Sequence, residues 1–421
     1  MTTGILAIII FAAIVVQVTI IMLISLYRRR KQFRAGASAL SGMQPPATPD
    51  VPATAEANAW KGFRQFVVQR RKLEDAQGSI CSFYLAPADG KPLPPFKPGQ
   101  FLTFKLDIEA PAPQAGKSVI RCYSLSDSPD PNHYRVSIKR VPAPADRPEL
   151  PAGVASNYFH DQVTEGTHLQ VRAPSGHFHL IQESALPVVL IGGGIGITPM
   201  LSILNTLLQT GSQREIWLFY GIRNGSEQIM REQLLSLAEK HRHFHLHCCY
   251  SNPTANDVEG IDFQHRGRVD IPLLRATLPL ARHQFYICGP KSMMESLVPG
   301  LEAWGVQSSD IYYESFGPAT LIRHDKPESD NPEVAYSNIS VTFSKSGKQI
   351  PWDWNSGSLL EFAETQGIDV DSGCRAGSCG GCQTAIESGE VEYNQQADAD
   401  VRPGHCLLCI TRPKNNLTLA A

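Results

Sequence analysis

The pattern of apolar and polar positions changes abruptly several times along the chain. Residues 4–27 are 24 consecutive positions without a charge, enough for a helix of about 36 Å against a hydrocarbon core of about 30 Å. Residues 35–58 are mostly Ala, Pro, Ser and Thr; such a segment buries no core and reads as a flexible tether. From Trp60 to about Ile181 the residues alternate over short stretches, at 62–70, 80–85, 100–106, 134–140 and 168–173. Turn clusters separate them, as in a small antiparallel barrel. From Pro187 the texture becomes α/β. Val188-Val-Leu-Ile191 is an apolar run typical of a buried parallel strand. Helical patterns follow at 199–208 and 227–240, with strands at 215–220, 244–250 and 285–288. A polar stretch at 319–334 reads as a second linker. Beyond it come strands at 339–343 and 349–351 and a helix at 359–365.

The expectation is a multidomain chain: a single transmembrane helix with a basic flank (1–34), a linker (35–58), an antiparallel β-barrel (59–184), an α/β domain (185–318), a linker (319–334) and a final α+β domain (335–421). Charge orients the first element. Arg28, Arg29, Arg30, Lys31 and Arg34 follow the apolar run, which places that end in the cytoplasm and the N-terminus outside. A cleaved signal peptide would carry its positive charges first, have a shorter run and end in small residues. The catalytic domains are therefore expected on the cytoplasmic side of the inner membrane, with residues 4–27 in lipid. The formal net charge of −2 gives no reason to expect nucleic acid.

The densest chemistry is Cys374-Arg-Ala-Gly-Ser-Cys379-Gly-Gly-Cys382, with Cys406 and Cys409 downstream. A C-x4-C-x2-C run with a distant fourth cysteine is the plant-type spacing for a 2Fe–2S cluster. The glycines let the backbone approach sulfide and aim N–H groups at sulfur. Zinc instead favours C-x2-C pairs that each bite one metal. Cys406 and Cys409 compete for the fourth position. Of the ten cysteines the others form no regular framework, so a reducing compartment is expected.

A second motif, Gly192-Gly-Gly-Ile-Gly-Ile-Thr198-Pro199, follows the apolar strand and opens a helix. Glycines there admit a pyrophosphate to the helix N-terminus, with Thr198 as the expected cap. The spacing is not that of the Rossmann fingerprint, and alone it equally suits a tight turn. His241, His243, His245 and His247 alternate, so in a strand they share a face. Neighbours about 7 Å apart do not grip one metal without a second element, and a polar strand face is expected.

Taken in order, Pro98-Gly-Gln-Phe101, Arg121-Cys-Tyr123-Ser124-Leu125, Gly153-Val-Ala-Ser156-Asn157, the glycine motif, Tyr220-Gly221, Cys288-Gly289-Pro290 and Glu314-Ser-Phe316-Gly317 resemble the ferredoxin–NADP reductase superfamily. The likeness spans roughly 60–318 and is nearest to the reductase part of flavohemoglobins. Residues 336–421 resemble a β-grasp ferredoxin, and the domain order resembles phthalate-dioxygenase-type reductases. The resemblance implies a barrel that binds FAD and an α/β domain that binds NADH or NADPH. It implies that Tyr123 packs on the isoalloxazine, that Ser124 sits near flavin N5, and that Arg121 pairs with the flavin phosphates. Gly153 and Ser156 would meet the pyrophosphate. Phe316 would cover the other flavin face, Gly193, Gly194, Gly196 and Thr198 would hold the nicotinamide nucleotide, and Cys288, with Gly289 and Pro290, would lie by its ring. Ser124, Cys288 and Phe316 are thus the expected catalytic residues. The ferredoxin-like Leu-x-Cys pattern selects Cys409, giving Cys374, Cys379, Cys382 and Cys409 as ligands.

Together these imply a membrane-anchored NAD(P)H-dependent reductase that passes electrons through FAD and 2Fe–2S to a separate oxygenase, desaturase or similar acceptor. Quinone reduction and a non-turnover redox sensor are the alternatives. Residues 336–421 hold 10 acidic against 6 basic side chains, which suits either a basic partner or an ordinary solvated surface. Arg223 and Ser226 are candidates for a 2′-phosphate, while the flavohemoglobin likeness leans toward NADH.

Overall fold

The computed structural model describes residues 60–108, 119–143, 152–316, 339–354, 356–368, 370–375, 377, 379–394, 397, 399 and 401–421. The apolar run 4–27 and both expected linkers lie outside these. Among the described residues no helix is long and apolar enough to cross a membrane.

The first domain is six antiparallel strands: β1 (Phe63–Leu73), β2 (Ile80–Pro87), β3 (Phe101–Leu106), β4 (Val119–Ser124), β5 (Tyr134–Lys139) and β6 (His168–Arg172), in the order β4-β3-β6-β1-β2-β5. The ends meet just past β4, where Leu125 bridges Val136 and the Ser126 N–H donates to the Arg135 carbonyl at 2.9 Å. That contact closes the barrel. Helix α1 (Val154–Asp161) inserts Phe159 among Phe83, Phe104 and Tyr123, with ring centroids 5.2–5.3 Å apart. The apolar pattern predicts neither β4 nor α1. In β4 only Val119 and Ser124 are buried, so the strand lacks the alternation that marks the others.

The second domain is a parallel sheet of β7 (Val188–Gly193), β8 (Ile216–Ile222), β9 (Phe244–Tyr250), β10 (His265–Arg266), β11 (Gln284–Gly289) and β12 (Ile311–Ser315), ordered β10-β9-β8-β7-β11-β12. Both faces are covered. Val188 and Leu190 enter one core with α2 (Ile197–Gln209) and α3 (Arg231–Lys240). Val189 and Ile191 enter the other with α4 (Ile271–Thr277) and α5 (Lys291–Ala303). Burial on both sides explains the unbroken apolar run. The expected helix 227–240 is shorter, because Met230 takes a left-handed φ of 52° and α3 begins only at Arg231. Strand order reverses between β7 and β11, and ligands of open α/β sheets bind in the crevice at such a point.

The third domain contains β13 (Ser340–Phe343), β14 (Lys348–Pro351), α6 (Leu359–Thr365), β15 (Gln383–Ser388), β16 (Val391–Tyr393), β17 (His405–Leu407), β18 (Thr411–Pro413) and β19 (Leu417–Leu419). Its main sheet runs β14-β13-β19-β15-β17, and β13 and β19 pair in parallel. Helix α6 starts at Ser358, whose hydroxyl accepts the Glu361 N–H at 3.3 Å. The apolar residues of α6 pack on the sheet with Phe343 and Trp352.

Candidate redox-cofactor site

A cavity of about 640 Å³ lies where the three domains meet. The barrel contributes Arg121, Tyr123 and Ser124 from β4, with Gly153 and Ser156 from the start of α1. The α/β domain contributes Thr198, Glu314 and Phe316, and the third domain contributes Gly373 and Cys374. Side chains far apart in sequence thus share one space.

On the barrel side, the Tyr123 ring stands edge-on to Phe104 at 5.8 Å and to Phe159 at 5.3 Å. Burial drives its phenol well above the ordinary range, so it presents a neutral ring. At the mouth of α1, a Cβ on Gly153 would stand 2.7 Å from Ser156 Oγ and 2.9 Å from Val141 Cβ. The Ser156 hydroxyl accepts the Val141 N–H at 3.2 Å and donates to the Gly153 carbonyl at 3.1 Å. This tight glycine-and-hydroxyl cradle fits a phosphate group. Arg121 turns its guanidinium to the carbonyls of Ile120 at 2.7 Å and Ser372 at 3.4 Å, so it faces the cysteine loop as well as the cavity.

On the α/β side, the glycine turn leaves no room for side chains. A Cβ on Gly196 would stand 2.2 Å from the Cys288 carbonyl oxygen, and one on Gly193 would stand 2.9 Å from Met293 Sδ and Pro290 Cδ. Gly194 holds a left-handed φ of 55°. Thr198 is not the helix cap. The N-cap position is Gly196, without a side-chain bond, and the Thr198 hydroxyl donates back to the Ile195 carbonyl at 3.0 Å. Cys288, paired in register with Gly192, is wholly buried behind the cavity, and burial first, then Glu314, pushes its thiol well up.

Glu314 stands in one of the sequence motifs, where no role is expected of it. It lines the cavity with Ser124, and its Oε2 is shut from solvent without a partner. Burial pushes the carboxyl up to about 8, the Cys374 side chain adding to the rise. A cavity-lining carboxylic acid that is protonated near neutrality and has a buried oxygen without a partner is a feature of sites built around a ligand.

In the cysteine loop the sulfurs gather two by two. The Cys374 and Cys379 N–H groups each donate to the other's sulfur at 3.2 Å, and Gly381 N–H donates to Cys379 Sγ at 3.3 Å. Cys382 Sγ and Cys409 Sγ are 3.2 Å apart. The Cys122 side chain first, and then that of Cys374, hold the Cys379 thiol well below the ordinary range. Cys406 is buried toward Thr411, its thiol pushed up by burial to about 12. Among the described residues no three His, Cys, Asp or Glu side chains converge on one ion position. Two cysteine pairs in an N–H-lined loop fit a two-iron cluster better than a single zinc.

The cavity therefore brings together Arg121, Tyr123, Ser124, Gly153, Ser156, Thr198, Phe316 and Cys374. Gly193, Gly194, Gly196, Cys288, Gly289 and Pro290 are not among its lining residues; Gly193 packs on Pro290 and Gly289, and Gly196 on Cys288. Cys379, Cys382 and Cys409 do not line it either. The histidine strand is a stacked face. His245 lies 4.0 Å from Trp217 and bonds Glu215 at 2.8 Å, while His247 meets His265 at 3.1 Å.

Comparison with known proteins agrees with this geometry. An oxidoreductase FAD-binding domain matches residues 82–180, an oxidoreductase NAD-binding domain 190–298, and a 2Fe–2S iron–sulfur cluster binding domain 341–414. The flavohemoprotein of Halalkalibacterium halodurans is 39% identical over 260 residues, 62% of this chain and 61% of that protein. That of Chromobacterium violaceum is 37% identical over 265 residues, 63% of each. The chain thus spans less than two thirds of these relatives. Among solved structures, the flavohem-like FAD/NAD-binding domain of nitric oxide dioxygenase from Vibrio cholerae superposes with a TM-score of 0.53 at 32% identity, covering 61% of this chain and all of that one. Phthalate dioxygenase reductase, described as a modular structure for electron transfer from pyridine nucleotides to [2Fe–2S], superposes at 0.50 with 25% identity over 86% of this chain and 98% of its own.

Proposed function

For a chain that is an NAD(P)H-dependent FAD/iron–sulfur oxidoreductase, a ferredoxin–NADP reductase-like unit fused to a 2Fe–2S ferredoxin domain, we propose a membrane-anchored role as electron supplier to a separate acceptor protein, an oxygenase, desaturase or similar enzyme. The observation that carries this is the shared cavity, with Tyr123 and Ser124 on one wall and Gly373 and Cys374 on another. The bound groups supply hydride acceptance as a pair and release of electrons singly.

The chain's own residues position and shield. Tyr123 offers a flat neutral ring for the isoalloxazine, and Phe316 lies on the nucleotide side, where it would cover the flavin until nicotinamide displaces it. Ser124, which shares the cavity with Glu314, presents its hydroxyl toward the flavin edge. Gly153 and Ser156 receive the pyrophosphate, with Arg121 as counter-charge. Gly193, Gly194, Gly196 and Thr198 hold the nicotinamide nucleotide, with Cys288, Gly289 and Pro290 beside its ring. Cys374, Cys379, Cys382 and Cys409 hold the irons. NADH is the favoured coenzyme. Arg223 pairs with Glu227 at 3.4 Å, and Ser226 is engaged by Asn224 at 2.6 Å and Gln77 at 2.9 Å, which leaves a carboxylate where a 2′-phosphate would sit.

Anchoring rests on residues 4–27 and the basic cluster after them. The decisive experiment separates the two halves of the path. Cys379→Ser should remove the cluster's visible and paramagnetic signals while FAD stays bound. The variant should still reduce ferricyanide but fail with acceptors served by the ferredoxin domain. Wild-type rates with every acceptor would put the cluster off the path.

A further inference from the structure

Cys122 lies between two cavity residues, Arg121 and Tyr123, on β4 of the barrel. It is remote in sequence from the cysteine loop, yet it lines the same cavity as Cys374, and its Sγ stands 3.7 Å from where a Cβ on Gly373, the residue before Cys374, would lie. Its side chain's one partner among the described hydrogen bonds is Thr103 Oγ1, at 3.4 Å. A threonine hydroxyl has a proton of its own to give, so the S–H of Cys122 is free to point at the loop.

The approach is enforced from both sides. A Cβ on Gly373 would stand 2.8 Å from Cys379 Sγ, 3.6 Å from Ile120 Cγ2 and 3.7 Å from Cys122 Sγ, so the loop backbone is seated against β4. Arg121 Nη1 donates to the Ser372 carbonyl at 3.4 Å, and Arg172 Nη1 donates to the Cys379 carbonyl at 3.1 Å. Arg172 is braced in turn over the Phe63 ring, 4.9 Å from its centroid. Two arginines of the barrel thus pin the loop on either side of the Cys122 contact.

We propose that the Cys122 thiol donates a hydrogen bond to the ligand sulfurs of Cys374 and Cys379 and so raises the reduction potential of the cluster. The inference rests on reading those two cysteines as ligands. Reduction adds negative charge to the cluster and its sulfurs. A donor aimed at those sulfurs stabilises the reduced form more than the oxidised one, and hydrogen bonds to sulfur are a recognised determinant of such potentials. The donor comes from the flavin-binding barrel, not from the ferredoxin fold. The potential is therefore set by the docking of the two domains, and a ferredoxin segment cut free of the barrel has a lower one.

Three variants of the full chain test this: Cys122→Ser, which keeps a donor, and Cys122→Ala and Cys122→Val, which remove it without and with replacement of its volume. Iron and sulfide content is measured first, then the cluster midpoint in a redox titration followed by electron paramagnetic resonance. The donor-less variants should retain the cluster with a reduction equilibrium about tenfold less favourable, a shift of about 59 mV to the negative for one electron. Cys122→Ser should stay near wild type. An unchanged midpoint in Cys122→Ala and Cys122→Val, or an equal shift in all three, overturns the proposal. Loss of the cluster from both donor-less variants makes Cys122 an assembly residue and also overturns it. The ligand reading fails separately, if Cys374→Ser keeps full iron content and unaltered resonance.

Discussion

Ser124, the last residue of β4 in the barrel, and Glu314, on β12 of the nucleotide domain, line the same cavity, and the serine side chain opposes the rise that burial imposes on the Glu314 carboxyl. The Ser124 hydroxyl thus has an acidic neighbour on the other domain. Ser124→Ala should slow flavin reduction by NADH about tenfold, the worth of roughly one hydrogen bond. In stopped-flow traces the loss should appear at saturating NADH, with little change in the apparent affinity.

Glu314 also couples folding to pH. Its carboxyl is pushed up to about 8 by burial, from an ordinary value of 4.5. Between those values the folded chain keeps a proton that the unfolded chain has lost. Stability contributed by this group is full below the lower value, falls as pH rises through the window, and levels off above about 8. Glu314→Gln should remove that slope. Thermal melts at about pH 5 and pH 8 should show a smaller loss for the variant than for wild type; equal losses would refute the coupling.

The glycine turn admits a sharper test. A methyl group at Gly196 would meet the Cys288 carbonyl oxygen at 2.2 Å, and neither backbone has a flexible end to move. Gly196→Ala should cost about 1–3 kcal/mol by overpacking and raise the KM for NADH. Gly211→Ala, at a turn where a Cβ meets nothing within 4 Å but φ is +69°, should lower Tm without affecting that KM.

Cys406 and Cys409 separate cleanly. Cys409→Ser should abolish or alter the cluster's absorption and resonance, because it removes the partner of Cys382. Cys406→Ser should keep both signals, since its thiol lies toward Thr411. The reverse result would exchange the two assignments.

Topology is open to direct measurement. A reporter fused after Ala421 should be active only if it is of the kind that works in the cytoplasm. A chain beginning at Asn58 should leave the membrane fraction and keep FAD and the cluster.

Much of the architecture is legible in the sequence because its physics is local. Val188 to Ile191 read as a doubly covered strand because both faces of β7 are apolar, and α6 at 359–365 and β9 at 244–250 fall where their periodicity puts them. β4 is not legible as a strand, since its middle residues face a ligand cavity and the cysteine loop instead of a core. The break before α3 depends on one left-handed residue, Met230, which no periodicity announces. At the site, spacing and order bring out the glycines and cysteines. Glu314, Cys122 and Arg172 escape a sequence reading for another reason. Their meaning comes from partners 190, 257 and 207 positions away, at Ser124, Cys379 and Cys379, and no local pattern carries that.

The parallel pairing of Val341 with Leu417 and of Phe343 with Leu419 also dictates an order of birth. The barrel's strands all lie between residues 63 and 172, so that domain can close while the ribosome is still translating the later domains. The iron-holding domain has its central strand last. It cannot form its sheet, nor offer a finished loop to whatever delivers iron and sulfide, until residue 419 has cleared the exit tunnel. Metal loading thus has to follow the translation of β19, and a nascent chain interrupted shortly before Leu417 would have a folded flavin domain and no outlet for its electrons.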